Sequence, residues 1–337
     1  MTILGLRLPV ICLFFLGLPL LWLVWIGIYA INPGPPSPYS WVDVVIPART
    51  GISEIEHILA DNKVIKDDRR FSMLAILTGA AKKLSAGEYR FEKGKNPLEI
   101  IDLLKRGKVL YRPVTIPEGT EMSKVLDILE VEGWGDRSQF FDLAYDAEFL
   151  KEMGVKSGSL EGYLFPDTYY LSRGQQNEYE IITMMVARHF QIYRKLIGNT
   201  NANHQNLTHH EIITLAAIVE KETGLPHERP MVASVFLNRL AKGMRLQADP
   251  TVRYGNSGIT GPLRQSELRN PTLYNTYVVK GLPPGPITNP GEAAIQAVIT
   301  PAETDYLYFV LKNDNSHHFS RTLKEHNQAV ARYRARK

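Results

Sequence analysis

The stretch Thr208–Gly224, THHEIITLAAIVEKETG, sets acidic side chains inside an otherwise apolar helical repeat. An unpaired buried carboxylate is costly, so a chain that keeps one there usually uses it. Thr208 and Glu211 have the spacing of a capping box, and Gly224 followed by Pro226 supplies a stop, which predicts a helix of about four turns. At roughly 100° per residue, Ile212, Leu215, Ala216 and Val219 gather on one face with Ile213 and Ile218 on its shoulders. Lys221 falls opposite, in water. Glu220 lies between Ala216 and Ile213, and Glu222 between Ile218 and Leu215, so each borders the apolar face from one side. The wheel does not choose between them. Both stand in the last turn, where the negative helix end and desolvation raise a carboxyl pKa and favour the protonated form that a general acid needs.

Around that helix, 337 residues leave room for an anchor and one large or two modest domains. The net charge of +4 is mild. Basic residues are scattered apart from Arg332, Arg334, Arg336 and Lys337, a solvated helix end by pattern, and no nucleic-acid partner is indicated. From Leu8 to Ile31 the chain is almost wholly apolar and carries no formal charge, which predicts a single N-terminal transmembrane helix over 8–31. A cleaved signal peptide would need small residues at its cleavage site, and Ile28 and Ala30 match poorly. Pro9, Val10 and Ile11 before Cys12 lack the small residue of lipoprotein processing, leaving Cys12 as a lipid-facing apolar side chain. Positive charge at the amino terminus and Arg7, with none following until Arg49, places residues 1–7 in the cytoplasm as a short stub and everything beyond residue 40 outside the inner membrane. Cys12 is the only cysteine, so the outer portion forms no disulfide.

The proline-rich segment 32–40, NPGPPSPYS, reads as a semi-rigid spacer that reaches at most about 30 Å. A weak internal repeat follows. Val44-Val45-Ile46-Pro47 with Ile52, Ile55, Ile58 and Leu59 recurs as Val114-Thr115-Ile116-Pro117 with Met122, Val125, Ile128 and Leu129, with Ser53 and Ser123 at matching helix starts. A third copy runs from Tyr89-Arg90-Phe91 through the turn Lys93-Gly94-Lys95 to Ile100, Leu103 and Leu104. Each copy predicts strand, tight turn and helix. Farther on, helices are expected over about 178–196 and 228–242, the second turning Val232, Val235, Phe236 and Leu240 inward, with the polar loop 198–206 before the opening helix. Asn206-Leu207-Thr208 has the form of a glycosylation sequon, but Thr208 is already the helix cap. The tract GLPPGPITNPG reads as loop, Tyr306–Leu311 as a strand, and a last helix begins near Leu323.

Metal chemistry fits poorly, because HExxH would need a histidine where the chain has Thr214. His209 and His210 then read as a polar helix start exposed to water, and His317 and His318 as solvated turn residues. Gly255, Gly258 and Gly261 do not follow a strand and open a helix as a phosphate cradle requires. No serine or cysteine nucleophile is supported, and no metal or cofactor is expected. Acid–base chemistry remains, around Glu220 and with Asp249 in QADPT as the second carboxylate to weigh. Plainer readings stand beside both. Asp249 could simply start a turn before Pro250. Glu220 could be a flank-exposed residue paired with Lys221 or Arg229.

The blocks LEGYLFPDTY (160–169), AIVEKET (217–223), VFLNRL (235–240), GMRLQADPTV (243–252), YNTY (274–277) and GLPPGPI (281–287), in that order and with this anchor, closely resemble the endolytic murein transglycosylase family, YceG-like. Residues 41–112 resemble LysM, a small glycan-binding βααβ module. The resemblance implies an α+β protein with a LysM-like module over 41–112 and a mixed α/β catalytic domain over 113–337. It implies that Glu220 is catalytic, and that choice over Glu222 comes from the family alone. Asn238, Gln247, Asp249 and Tyr254 would line the cleft. The implied reaction is lytic: the C6 hydroxyl of the muramic acid attacks, so one Glu protonates the departing oxygen and then accepts the hydroxyl proton, leaving a 1,6-anhydro end on peptidoglycan glycan strands. Partnership with peptidoglycan synthases of the elongation machinery is implied too. Ala248, where the family often has Thr, is a small departure. A membrane-anchored glycan-binding scaffold and a two-carboxylate muramidase remain the alternatives.

Overall fold

A computed structural model describes residues 7–36, 39–198, 207–256, 258–312 and 314–334, with the side chains of its first helix described from Leu18 on. Residues 1–6 of the expected stub, the loop 199–206 with Asn206 of the sequon, the side chain of Cys12 and the last three residues of the basic tail lie outside the described residues. The chain forms two compact units, Met1–Pro113 with Tyr169–Asn177, and Val114–Thr168 with Glu178–Lys337.

In the first unit, α1 (Arg7–Ile31) is followed by β1 (Trp41–Ile46), α2 (Ile52–Asp61), α3 (Arg70–Leu77), β2 (Gly87–Glu92) and α4 (Pro97–Lys105). Among the described residues no helix is long and apolar enough to cross a membrane. Ile26, Tyr29 and Ala30 of α1 are buried in the core of this unit. β1 pairs antiparallel with β2, Val44 opposite Tyr89 and Asp43 opposite Arg90. Alternation along both strands turns Val44, Ile46, Tyr89 and Phe91 inward, against Leu59, Phe71 and Leu104 of the helices. The outward pair Asp43 and Arg90 closes a two-pronged ion pair with both distances 2.7 Å. Asn96 caps α4 in a full capping box with Glu99, and Pro97 occupies the first turn where its missing N–H costs nothing.

Past these, β3 (Arg112–Thr115) leads to α5 (Met122–Val131), α6 (Arg137–Tyr145), α7 (Ala147–Glu152), β4 (Thr168–Leu171), α8 (Glu178–Gly198) and α9 (His209–Glu222). A 3-10 turn at Pro226–Glu228 is succeeded by α10 (Arg229–Ala241), α11 (Asp249–Tyr254), α12 (Gln265–Leu268), α13 (Glu292–Ile299), the antiparallel pair β5 (Tyr308–Leu311) and β6 (His317–Ser320), and α14 (Leu323–Arg334). The three copies of the repeat are present as strand and helix: β1 with α2, β2 with α4, β3 with α5.

α9 begins as its sequence predicts, with the Thr208 hydroxyl and the Glu211 carboxylate forming a capping box. Its surroundings differ from the one-faced wheel. All eight residues from Ile212 to Val219 are buried, because α10, α11 and α13 pack about it. It is a central helix rather than an amphipathic one, and a helix apolar on all sides belongs inside a core.

Candidate active site

Glu220 closes the buried part of α9. Its side chain is 6% exposed, and Oε1 accepts a hydrogen bond from Arg229 Nη2 at 2.7 Å. Oε2 accepts from the main-chain N–H of Gly291 at 3.1 Å, at the start of α13. The plain reading of Glu220 foresaw the Arg229 partner but not the enclosure. Burial pushes the carboxyl pKa up; Gly291 N–H, Arg229 and Lys221 pull it down, and Glu118 pushes it up again, with a raised value as the outcome. Such a group accepts either protonation state at modest cost, because the acid suits its apolar surroundings and the anion has two donors waiting.

Glu222, two residues on, borders open space instead. It and Asp249 line two adjoining cavities. One, of about 350 Å³, also holds Glu121, Lys221, Arg253 and Tyr254. The other, of about 310 Å³, holds Arg239, Gln247, Tyr277 and His326. Burial, then the Asp249 charge, pushes the Glu222 carboxyl up to about 8.

Of the predicted lining residues, Asp249 sits at the first position of α11 with Pro250 behind it, and Oδ1 accepts from the Tyr277 hydroxyl at 2.6 Å. It therefore starts a helix and faces a cavity together. Gln247 lines the second cavity from a left-handed backbone, φ 51°, held by its N–H to Thr276 O at 3.1 Å. For a residue other than glycine that conformation is strained, and strain of this kind collects at working sites. Tyr254 lines the first cavity and donates its hydroxyl to Glu161 Oε2 at 3.2 Å. Asn238 stands apart from both linings: its amide donates to Thr304 O at 2.8 Å and Tyr306 O at 3.0 Å, holding the approach to β5.

Glu161 went unnoticed in the sequence, although it sits in the apolar block LEGYLF much as Glu220 sits in α9. It accepts from Met122 N–H at 3.0 Å, and burial raises its carboxyl to about 7. Glu118 and Gly291 were missed as well. The signal for Gly291 was Asn289-Pro290-Gly291-Glu292 ahead of an apolar run, a helix start that its loop-like tract concealed.

The histidines are a correction. His209 is not a hydrated helix start: its Nε2 lies 2.9 Å from Nε2 of His189, which is fully buried. His210 spans Tyr163 Oη at 2.9 Å and Pro284 O at 2.8 Å. Because a carbonyl only accepts, Nε2 of His210 carries the proton and Nδ1 accepts from the tyrosine. His317 likewise is enclosed, with Nδ1 at 2.6 Å from Glu228 Oε2, and this ties β6 to the turn after α9.

Comparison with known proteins gives concordant results. The profile of the YceG-like family matches residues 44–332. An endolytic murein transglycosylase of Bacillus subtilis is 31% identical over 318 residues, covering 90% of this chain and 88% of the relative. One from Streptococcus pneumoniae is 28% identical, covering 87% of this chain but 58% of that longer protein. A crystal structure of a yceG-like protein from Listeria monocytogenes superposes with a TM-score of 0.58 at 35% identity, covering 86% of this chain and 98% of the other.

Proposed function

This chain belongs to the YceG-like family, and from that premise we propose that it is an endolytic lytic transglycosylase that cuts the β-1,4 bond between MurNAc and GlcNAc in nascent peptidoglycan strands. Glu220 is the acid. Its proton passes to the glycosidic oxygen as the bond from C1 to that oxygen breaks, and the positive charge gathers at C1 of the muramic acid. The C6 hydroxyl oxygen then bonds to C1 and its proton returns to Glu220, so no water is consumed and a 1,6-anhydro end remains. The enclosed carboxyl between Arg229 and Gly291 is the observation that carries this reading. A group that must first be acid and then base needs an environment that tolerates both forms. Gln247, Asp249 and Tyr254 bind glycan in the two cavities that Glu222 and Asp249 line, while Asn238 supports the site through the segment 304–306.

Residues 8–31 are the proposed anchor, crossing the inner membrane once with the N-terminus in the cytoplasm. β1, α2, α3 and β2 run in the strand–helix–helix–strand order of a LysM-like module, and we assign glycan contact to it. Peptidoglycan synthases of the elongation machinery are the matching partners, since the anchor keeps cleavage near newly made strands.

A hydrolytic second reading draws on Glu222 and Asp249, which face common cavities as a carboxylate pair. Digestion of purified sacculi with the full-length protein and with Glu220→Gln, followed by mass spectrometry of fragment ends, separates them. Anhydro ends lost in the variant are expected. Reducing ends would establish hydrolysis, and binding without release by either protein would leave only a scaffold.

A further inference from the structure

Two carboxylates meet at one guanidinium in the second unit. Arg229 Nη2 lies 2.7 Å from Glu220 Oε1 and 3.6 Å from Glu118 Oε2, so those oxygens are separated by no more than the two distances laid end to end. Glycosidases place their paired carboxyl groups about 5–9 Å apart, and the two acids here are no farther apart than such a pair. The Arg229 side chain is 9% exposed and that of Glu118 48%, so the cation is enclosed while the second acid opens to solvent. Arg229 Nε has no hydrogen-bond partner among the described residues, and its ion-pair partners are these two carboxylates.

Glu118 is held in place by its backbone. The turn that carries it is clamped to the turn before α13: Gly119 N–H donates to Asn289 O at 2.9 Å, and Asn289 N–H to Thr120 O at 3.0 Å. The fully buried Asn289 side chain completes the clamp, its amide donating to Thr120 O and its carbonyl accepting from Leu164 N–H, both at 2.9 Å. Gly291 then seats both acids. Its N–H serves Glu220, while a Cβ at this position would collide with Glu118 Oε1. Such a clamp is more than a surface acid needs.

We propose that Glu118 is a second acidic residue of this site, a positioning residue that acts on Glu220 through Arg229 and their common seat at Gly291. The proposal rests on the preceding reading only for Glu220 as the acid. The charged groups facing Glu220 are Arg229, Glu118 and Lys221. Arg229 and Lys221 favour its carboxylate; the negative charge of Glu118 favours its proton. Without Glu118 the two cations act unopposed, and Glu220 ionises at lower pH.

The test uses the full-length protein in detergent, with sacculus release followed from pH 5 to 9. In parallel, the infrared band of the protonated carboxyl that vanishes in Glu220→Gln is titrated. For Glu118→Gln we expect the alkaline limb of kcat/KM and the infrared midpoint to move to lower pH together, with about tenfold less activity at the alkaline end and the acid plateau kept. Arg229→Gln should move both the other way. Loss of activity by the same factor at every pH with the band unmoved would overturn the proposal, as would a profile and a band both unchanged in Glu118→Gln. A wild-type protein that releases nothing, while the band still moves in Glu118→Gln, would sink the transglycosylase reading and leave the coupling standing.

Discussion

At one end of α9 three imidazoles crowd together, and at the other end stand two carboxyls. The helix end at His209 carries partial positive charge and the end at Glu222 partial negative charge, so each end disfavours the ionised form of the groups it holds. Burial acts in the same direction. It holds His189 down at about 3 and His209 at about 4, and it raises Glu220 and Glu222. The two ends differ in how neutrality is used. His189 and His209 meet through their Nε2 atoms and His210 meets Tyr163, and neither His189 nor His209 lines the cavities that border Glu222. Glu222 adjoins open cavities, while Glu220 is enclosed and retains donors for the anion. Neutral groups packed against one another build a fold; a neutral group kept beside charge or beside open space is available for chemistry.

The sharpest break between the ends is Glu220→Gln, which should lower fragment release about 10³-fold with an unchanged unfolding midpoint. At the opposite end His189→Ala should spare the rate per folded molecule and instead cost about 2–4 kcal/mol in denaturant unfolding, through the cavity and the orphaned His209 nitrogen. A destabilised Glu220→Gln paired with an inactive but stable His189→Ala would reverse the assignment. Smaller effects lie in the pH dependence of stability. The unfolded chain binds protons to its histidines near pH 6.5 while folded His189 and His209 resist them, so stability falls as pH drops from about 6.5 towards 3. The folded chain holds protons on Glu161 and Glu222 that the unfolded chain releases near pH 4.5, so stability falls as pH rises from there to about 8. Thermal midpoints across pH should therefore trace a dome. His189→Phe should flatten its acid side and Glu222→Gln its alkaline side; the reverse pairing would refute the comparison.

Much of this was legible locally. α8, α9, α10 and α14 announce themselves by periodicity and end signals, and the capping box at Thr208 is found as read. α13 was not legible, because Pro290 and Gly291 sit in a tract rich in loop residues and the helix is only eight residues long. The wheel of α9 failed in one respect: it assumes one solvent face, and a helix surrounded by three others has none along its middle. For the site, periodicity delivered two acids and the family resemblance chose one. Its partners come from far along the chain, Gly291 being 71 positions from Glu220, and pattern reading within a window cannot reach them. The histidine pair was misread for the same reason, since His189 belongs to a different helix from His209.

The distance in sequence between Glu220 and Gly291 has a bearing on when the site comes into being. During synthesis the acid is made first, and the N–H that grips it emerges only later, with the turn 289–291 that also clamps the loop of Glu118. Until that turn exists, the helix bearing Glu220 lacks α13, one wall of its core, and the carboxyl lacks one of its two donors. With Glu220 as the proposed acid, a partly translated chain is thus unready for cleavage. The order in which the ribosome writes the residues serves as a safety catch on the glycan it will meet.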